Sequence, residues 1–265
     1  MKIINGGVCA ATGFTAGGIH CGIRKNKTKK DLSLIFSEKR AAAAAVYTTN
    51  LVKGAPLVVT KNHIADGYAQ AIICNSGNAN TCNANGIEIA EGMSKLVAET
   101  MNISENDVVV ASTGVIGQPL DIEPIKNGMD ELKNSLGNNS LDAAEGIMTT
   151  DTVVKEIAVS FEIGGKECKI GGIAKGSGMI HPNMATMLVF ITTDCAILPE
   201  MLQKALSGDI KNTFNMVSVD GDTSTNDMVC IMANGKAENA VIDSENEAFE
   251  IMKKYKKIFG KMKIF

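Results

Sequence analysis

One threonine, Thr186, stands at the junction between a glycine-rich segment and an apolar segment. The preceding run, KGSGMIHPNMA from Lys175, is bend-prone, and the following run, MLVFI from Met187, is typical of a buried strand. If the bond before Thr186 is cut, the new α-amine lies beside the hydroxyl and can act as its base. Such an amine has a pKa near ~7.7–8, which suits work close to neutrality. For a threonine taken alone, a β-branched residue that starts a strand is the commoner explanation.

A second candidate group is Thr113 and Gly114, which follow the compact apolar run Val108–Ala111. The pattern predicts a turn just past a buried strand, where backbone N–H groups can point outwards. Such groups can stabilise the oxyanion of a tetrahedral intermediate. An ordinary strand-to-helix turn with a Ser/Thr cap explains the same residues without any chemistry, and the residues alone favour it.

Metal sites find little support in the sequence. The segment VDGDTSTND from Val219 resembles a calcium loop, but its sixth position is Thr225 instead of glycine and its twelfth is Ile231 instead of glutamate. The chain has 7 cysteines and 3 histidines, with no CxxC pair and no zinc-type spacing. We therefore expect no metal, and we expect the cysteines to be free thiols that behave as small buried apolar residues.

The stretch KGSGMIHPNMATMLVFITTD resembles the self-cleavage segment of the ornithine acetyltransferase family, also called the glutamate N-acetyltransferase or ArgJ family. Other family-like segments occur in the same order along nearly the whole chain. They are DLSLIFSEKRAAAAAVYTTNLVKGAP from Asp31, NSGNANTCN from Asn75, STGVIGQPL from Ser112, MTTDT from Met148 and VDGDTSTND from Val219.

This resemblance implies an α/β protein, an ArgJ/DmpA-like layered α–β sandwich whose N-terminal nucleophile is generated by self-cleavage. The cut would fall between Ala185 and Thr186, dividing an α-chain part, residues 1–185, from a β-chain part, residues 186–265. By the same resemblance Thr186 is the nucleophile, and Thr113 and Gly114 supply the oxyanion hole. The resemblance assigns substrate binding to Thr152, Lys175 and Thr186. After Thr152 the family commonly has Phe/Xaa-Pro-Lys, whereas this chain has Val-Val-Lys.

The activity implied is transfer of an acetyl group from N2-acetylornithine to glutamate in arginine biosynthesis, by ping-pong through an acetyl-Thr186 intermediate. No cofactor is expected, and acetyl-CoA is left open as a co-substrate. The resemblance implies that two α and two β pieces assemble as a heterotetramer. Two alternatives remain: an amidohydrolase of the N-terminal-nucleophile type, and an inactive remnant that acts as a binding module. Family members continue into a Glu-Asp-Pro-Asn-Trp-Gly-Arg motif, which this sequence lacks, so we expect weak transferase activity from these 265 residues alone.

Composition favours an ordinary globular enzyme. The 265 residues are 45% hydrophobic and 21% charged, with a net charge of −3. This charge argues against a nucleic-acid partner, and no apolar run is long enough to span a bilayer. We therefore expect small-molecule substrates and a cytoplasmic location.

The chemistry-bearing residues fall among short apolar strands that alternate with amphipathic helices. The pattern predicts strands at 32–36, 42–47, 69–74, 108–111, 157–163, 169–174, 187–191 and 227–232. It predicts helices over about 87–101, from 121 to 137, from Pro199 to about Ala205, and from Ser244 to Met262.

Overall fold

The structure is a computed structural model that describes residues 2–176, 187–209 and 224–256. Strands are numbered in chain order: β1 Lys2–Ile4, β2 Phe14–Ile19, β3 Leu32–Tyr47, β4 Tyr68–Asn78, β5 Val108–Val115, β6 Lys155–Ile163, β7 Lys166–Lys175, β8 Leu188–Thr193 and β9 Met228–Ala233. Helices are numbered likewise: α1 Ala55–His63, α2 Gly86–Met101, α3 Glu123–Asn134, α4 Ser140–Ile147, α5 Pro199–Asp209 and α6 Glu247–Lys256.

The nine strands form one mixed sheet in the order β1-β6-β7-β8-β9-β3-β4-β5, with β2 paired to β3. The predicted hairpin of β6 and β7 turns at Gly164 and Gly165, both with positive φ. Strand β8 lies antiparallel to β7 and parallel to β9, and β9 lies antiparallel to β3. Strands β8 and β9 therefore occupy the middle of the sheet, with earlier parts of the chain on both sides.

The prediction of two strands at 32–36 and 42–47 was wrong, because β3 is one strand of 16 residues. Its first part pairs with β2 and β4, and its last part pairs with β9. The pairing with β4 shifts register between Phe36 and Ala41, where Glu38, Lys39 and Arg40 are exposed. A bulge lets these charged side chains stay in solvent without ending the strand.

Both faces of the sheet are covered, and the alanine run of β3 shows how. Because strand side chains alternate between faces, Ala42 and Ala44 join the core beneath α5 and α6, whereas Ala41, Ala43 and Ala45 join the core that includes α4. A third cluster packs α2 and α3 against β4 and β5. The layered α–β architecture expected from the sequence is confirmed.

Several element boundaries differ from the predictions. Helix α5 reaches Asp209 instead of Ala205, and α6 spans Glu247–Lys256, with the rest of the predicted helix to Met262 outside the described residues. In the described ranges, no helix is long and apolar enough to cross a bilayer.

Candidate active site

Ala185 and Thr186, the predicted cleavage site and nucleophile, lie outside the described residues, but both flanks of their segment are fixed. Strand β7 ends at Lys175, and β8 begins just after Met187. Lys175 and Leu188 are cross-strand partners in the β7–β8 ladder. The chain therefore leaves the sheet and returns to it at the same end of two neighbouring strands.

Asp227 holds the first backbone amide after Thr186. Its Oδ1 accepts a hydrogen bond of 2.8 Å from the backbone N–H of Met187, the amide that joins Met187 to Thr186. Its Oδ2 is buried and has no hydrogen-bond partner within residues 2–176, 187–209 and 224–256. Burial raises the pKa of Asp227 to about 8, despite the opposing effects of the Met187 amide, the nearby Ser224 hydroxyl and the Lys175 charge. A carboxyl group with a pKa of about 8 therefore contacts Met187, the residue that follows the predicted nucleophile in the sequence.

Asn226 connects this point to the predicted oxyanion hole. Its side-chain Nδ2 donates to the carbonyl oxygens of Ala79 at 2.7 Å and Ser112 at 2.9 Å. Its Oδ1 accepts from the hydroxyls of Thr81 and Thr225, each at 2.6 Å. Every polar atom of this buried amide is satisfied, so its position is rigidly defined. Asn226 is bonded to Ser112, which precedes Thr113, and it is followed by Asp227, which is bonded to Met187. The strand end that carries Thr113 therefore lies beside the start of β8.

Thr113 and Gly114 do not lie in a turn, as predicted, but in the last residues of β5, which runs parallel to β4. The ladder is irregular where Gly77 and Asn78 face them, and such a bulge lets backbone groups leave the regular hydrogen-bonding pattern. Gly114 has φ of +133°, and a Cβ there would lie 2.3 Å from the carbonyl carbon of Gly77. Glycine at 114 is therefore required by the backbone, and Gly114→Ala would displace β4 as well as alter a candidate N–H donor.

Asp151, in the MTTDT segment, fixes the end of β7. Its carboxylate accepts from Lys155 Nζ at 2.6 Å and from the backbone N–H groups of Gly176 at 2.9 Å and Thr149 at 3.2 Å. Burial raises the pKa of Asp151, but these hydrogen bonds outweigh burial and hold the pKa below its usual range. A single carboxylate thus ties the loop that carries Thr152 to the strand end that carries Lys175.

Lys175, to which the resemblance assigns substrate binding, is only 4% exposed. Its Nζ lies 3.4 Å from Thr149 Oγ1, a long hydrogen bond. Burial lowers the pKa of Lys175, and the charges of Asp151 and Asp227 oppose this shift. A buried ammonium with so weak a direct partner is well suited to bind a ligand carboxylate.

Thr152 is exposed and lines an open pocket of about 300 Å³. The remaining lining residues are Arg24, Thr28, Lys29, Lys30, Glu145, Met148 and Val154. The pocket is rich in cations, although Lys30 is paired with Glu145 and Asp142. It therefore favours an anionic or zwitterionic ligand next to Thr152.

Arg24 is positioned at this pocket by Asp31. The fully buried Asp31 carboxylate accepts from the backbone N–H groups of Cys21, Gly22 and Arg24 at 2.7, 3.2 and 2.8 Å. The Arg24 guanidinium donates to the Met148 carbonyl oxygen, and its buried Nε has no partner in the described part of the chain. Burial lowers the pKa of Arg24, and Asp31 and Asp151 oppose that shift. Arg24 thus brings a partly buried guanidinium to the MTTDT side of the site.

Four residues of this site were not singled out from the sequence: Arg24, Asp151, Asn226 and Asp227. Asp151 and Asn226 stand in segments that were quoted for their resemblance, but nothing in the local pattern shows that they bridge distant strands. Asp227 carries a usable signal, because a carboxylate directly before the apolar run MVCIMA will be buried or nearly so. Arg24 lies in a lysine-rich loop, and the sequence does not distinguish a buried, hydrogen-bonded arginine there from one exposed to solvent.

The arrangement brings together groups of the kinds that acyl transfer requires. It provides a backbone bulge beside Thr113 and Gly114, whose N–H groups are candidate oxyanion donors. It also provides a buried ammonium at Lys175 and a titratable carboxyl at Asp227. No metal-type cluster occurs at this end of the sheet among the described residues; the one present, Cys168, Asp194 and Cys195, lies at the opposite end of β7 and β8.

Comparisons with known proteins agree with this architecture. The bifunctional arginine-biosynthesis protein ArgJ of Caldanaerobacter subterraneus is 48% identical over 256 residues, covering 96% of this chain and 63% of that protein. The protein of the same name from Listeria monocytogenes is 48% identical over 251 residues, covering 94% of this chain and 62% of its own length. The chain thus spans less than two thirds of the length of these relatives.

Solved structures give the same picture. The crystal structure of the bifunctional ArgJ protein of Bacillus halodurans has 43% identity and a TM-score of 0.64, covering 70% of this chain and 97% of its own. The structure of ornithine acetyltransferase complexed with ornithine, from Mycobacterium tuberculosis, has 30% identity and a TM-score of 0.61, covering 71% and 99%. An aminopeptidase/amidase of Ochrobactrum anthropi, a variant of the Ntn-hydrolase fold, has 14% identity and a TM-score of 0.54, covering 88% and 75%, which shows likeness of fold alone.

The sequence profile of the ArgJ family matches residues 15–262, which is nearly the entire chain. The segments from which the family was predicted lie within that match, and two of its solved members share the fold. The chain belongs to the ArgJ family.

Proposed function

We propose that this chain cleaves itself before Thr186 and then acts as a glutamate N-acetyltransferase, moving acetyl from N2-acetylornithine to glutamate. The observation that carries the proposal is the position of Met187. Its amide, one bond from Thr186, is held by Asp227, and the neighbouring Asn226 is bonded to the carbonyl that precedes Thr113. These contacts support a scissile bond close to the candidate oxyanion donors.

In the cleavage step, the Thr186 hydroxyl attacks the carbonyl carbon of Ala185, and the N–O acyl shift gives an ester. Water hydrolyses the ester, leaving a carboxylate on Ala185 and a free α-amine on Thr186. The pieces would be residues 1–185 and 186–265.

In the transfer step, the Thr186 α-amine takes the hydroxyl proton while the oxygen attacks the acetyl carbonyl of N2-acetylornithine. The backbone N–H groups of Thr113 and Gly114 stabilise the oxyanion, and ornithine leaves with the proton. The amine of glutamate then attacks acetyl-Thr186 in the reverse sense, which gives ping-pong kinetics.

Two cations are suited to the substrates. The buried Lys175 ammonium binds the α-carboxylate of the amino acid. Thr152 contacts the substrate from the edge of the cationic pocket that Arg24 also lines. Both amino acids carry an α-carboxylate, so one cation can serve donor and acceptor in turn.

The proposal includes assembly of two α and two β pieces as a heterotetramer, with the cytoplasm as its location. No cofactor is required, because the acyl group passes through the Thr186 oxygen. Acetyl-CoA remains open as a second acetyl donor.

Intact mass spectrometry of the purified chain tests the cleavage step. The native chain and Thr186→Ser, which keeps a hydroxyl, are expected to yield two pieces. Thr186→Val, which keeps the shape but lacks the hydroxyl, is expected to stay whole. Cleavage of the valine variant would remove Thr186 as the nucleophile.

Incubation with N2-acetylornithine and labelled glutamate tests the transfer step. Labelled acetylglutamate supports the proposal, free acetate without acetylglutamate indicates an amidohydrolase, and turnover of neither supports a binding module. The assay is run on this chain alone and on a fusion to the C-terminal portion of a relative, because the chain spans about 63% of such a protein. We expect the fusion to be the more active.

A further inference from the structure

Two buried thiols lie near each other at the end of β7 and β8 that is remote from Lys175 and Leu188. The β7–β8 ladder ends at the pair Ile170 and Thr193, and Cys168 and Cys195 each lie two residues beyond that pair. Past the ladder, the backbone N–H of Asp194 donates to the Lys169 carbonyl oxygen at 3.3 Å, and the Lys169 N–H donates to the Asp194 carboxylate at 2.7 Å. The two segments that carry Cys168 and Cys195 therefore stay side by side.

A disulfide forms between two cysteines whose backbones already lie close together. The two sulfur atoms already lie within 4.8 Å of each other, and both side chains belong to the same buried core. The strand cysteines Cys74 and Cys230 do not face a cysteine, because Cys74 is paired with Ser33 and Ala111, and Cys230 is paired with Ala45 and Phe190.

The two thiols also differ in acidity in a way that favours reaction between them. A hydrogen bond from Cys195 lowers the pKa of Cys168, although burial opposes this. The same hydrogen bond, together with burial, raises the pKa of Cys195. In contrast, burial raises the pKa of both Cys74 and Cys230 to about 12. Because the thiolate is the reactive form, Cys168 is the more reactive partner of the pair.

The other polar groups around the pair already have partners. The Asp194 carboxylate accepts from the backbone N–H groups of Lys169 at 2.7 Å and Thr12 at 2.9 Å. Asn239 Oδ1 accepts from the Ala196 N–H at 2.8 Å. The Cys168 sulfur itself makes long, weak contacts with Asn239 Oδ1 at 3.7 Å and the Lys166 carbonyl oxygen at 3.8 Å. Asp194 and Asn239 therefore act as structural residues in this cluster.

We infer that Cys168 and Cys195 are a peroxide-oxidisable pair whose disulfide covalently joins the two pieces of the self-cleaved protein. The link between pieces rests on the proposed cleavage, because Cys168 lies in residues 1–185 and Cys195 in residues 186–265. Formation of the disulfide itself does not depend on cleavage.

The oxidation is balanced by one molecule of hydrogen peroxide. The Cys168 sulfur attacks a peroxide oxygen, the O–O bond breaks, and the departing hydroxide takes the thiol proton as water, leaving a sulfenic acid. The Cys195 sulfur then attacks the Cys168 sulfur, the S–S bond forms, and the sulfenic oxygen leaves as a second water with the Cys195 proton. Two thiols and one peroxide thus give one disulfide and two waters.

The test treats the reduced protein with hydrogen peroxide in a Cys82→Ser background, since Cys82 is exposed and could link separate molecules. Free thiols are then blocked, and the sample is run on a denaturing gel without reductant. We expect the two pieces to migrate as one band of precursor size and to separate again after reduction. Cys168→Ser and Cys195→Ser should each abolish the joined band, whereas the matched buried control Cys74→Ser should keep it.

A second measurement separates this inference from the proposed cleavage. In uncleaved Thr186→Val protein, peptide mapping after peroxide should still show the peptide containing Cys168 joined to that containing Cys195. If this link is found but the native chain stays whole, cleavage is wrong and the pair stands. Separate peptides after peroxide, or bound zinc that is lost in Cys168→Ser, would overturn the inference.

Discussion

Two buried aspartates at the same end of the sheet have lysines nearby, but only one of them forms a direct ion pair. Asp151 lies 2.6 Å from Lys155 Nζ and also accepts two backbone N–H groups. Asp227 and Lys175 interact only at longer range: Asp227 Oδ2 has no partner in the described structure, and Lys175 Nζ has a long contact to a hydroxyl. Asp151 and Lys155 are thus bonded directly to each other. In the second pair, Asp227 Oδ2 accepts no hydrogen bond from the described residues, and the Lys175 ammonium makes only a long one with them.

The difference appears in the pKa values, which move in opposite directions. Hydrogen bonds and the Lys155 charge overcome burial and hold the pKa of Asp151 low, whereas burial dominates at Asp227 and raises its pKa to about 8. A buried group without full pairing is unfavourable for folding, so it persists where it serves another purpose. The comparison indicates that Asp151 and Lys155 hold the loop in place, and it supports the proposed role of Lys175 in binding the substrate.

The largest expected effect is on stability, from Lys155→Met. Removing this cation leaves the Asp151 carboxylate buried without its ion pair, which typically costs about 3–5 kcal/mol. Urea unfolding should show this loss, and Lys166→Met, at an exposed position, serves as the control. A loss below 1 kcal/mol would mean that the two backbone N–H groups suffice to hold Asp151.

Asp227→Asn is expected to change how stability depends on pH. Because the pKa of Asp227 is higher in the folded protein than in the unfolded chain, its protonated form stabilises the fold. This contribution is complete below about pH 4 and is lost as pH rises through about 8. Relative to Asp227→Asn, the native chain should therefore lose unfolding free energy steadily as the pH rises across that range. Parallel pH profiles for the two proteins would show that Asp227 does not titrate there.

Lys175→Met should affect catalysis while leaving stability nearly intact. Loss of a charged hydrogen bond to a substrate carboxylate is worth about 1.5–3 kcal/mol, or roughly a 10- to 100-fold fall in kcat/KM. The unfolding free energy should stay within about 1 kcal/mol of the native value, because the methionine also relieves a buried charge. The opposite result, a large stability loss with unchanged kcat/KM, would make Lys175 equivalent to Lys155.

The smallest expected effect comes from Thr149→Val, which removes the hydroxyl 3.4 Å from Lys175 Nζ. So long a contact contributes at most about 0.5–1 kcal/mol, so kcat/KM should fall by no more than about fivefold. Thr149→Ser, which keeps the hydroxyl, should behave like the native chain. A fall as large as that in Lys175→Met would mean that Thr149 itself binds the substrate.

Much of the fold could be predicted because apolar runs mark the buried strands. The sequence identified β4, β6, β7, β8 and β9 to within a few residues, along with α2 and α3. It missed β2, whose run FTAGGI contains two glycines, and α4, whose eight residues are too few for a clear helical period. It divided β3 in two because the charged run Glu38–Arg40 looks like a loop, and only pairing with two different neighbours shows a continuous strand.

The site was predictable where its residues sit in recognisable segments. Gly114 was picked out in this way, and its positive φ supplies a backbone reason for glycine there. The burial of Lys175 could not be foreseen, because it depends on packing against segments that are distant in the sequence, such as those that carry Asp151 and Asp227. The contact between Asp227 and Met187 spans 40 residues and emerges only once β8 and β9 are neighbours.

The central position of β8 and β9 also bears on how the protein must be made. Both strands belong to residues 186–265, and together they lie between two strands of residues 1–185. Strand β8 borders β7, and β9 borders β3. A separately synthesised second piece would have to enter a gap between two strands and form ladders on both sides at once. A continuous precursor avoids this, because the connection keeps β8 at high effective concentration beside β7. The proposed cut before Thr186 removes that advantage. Fully denatured pieces should then reassemble poorly, and the assembled protein should be long-lived chiefly because it unfolds slowly.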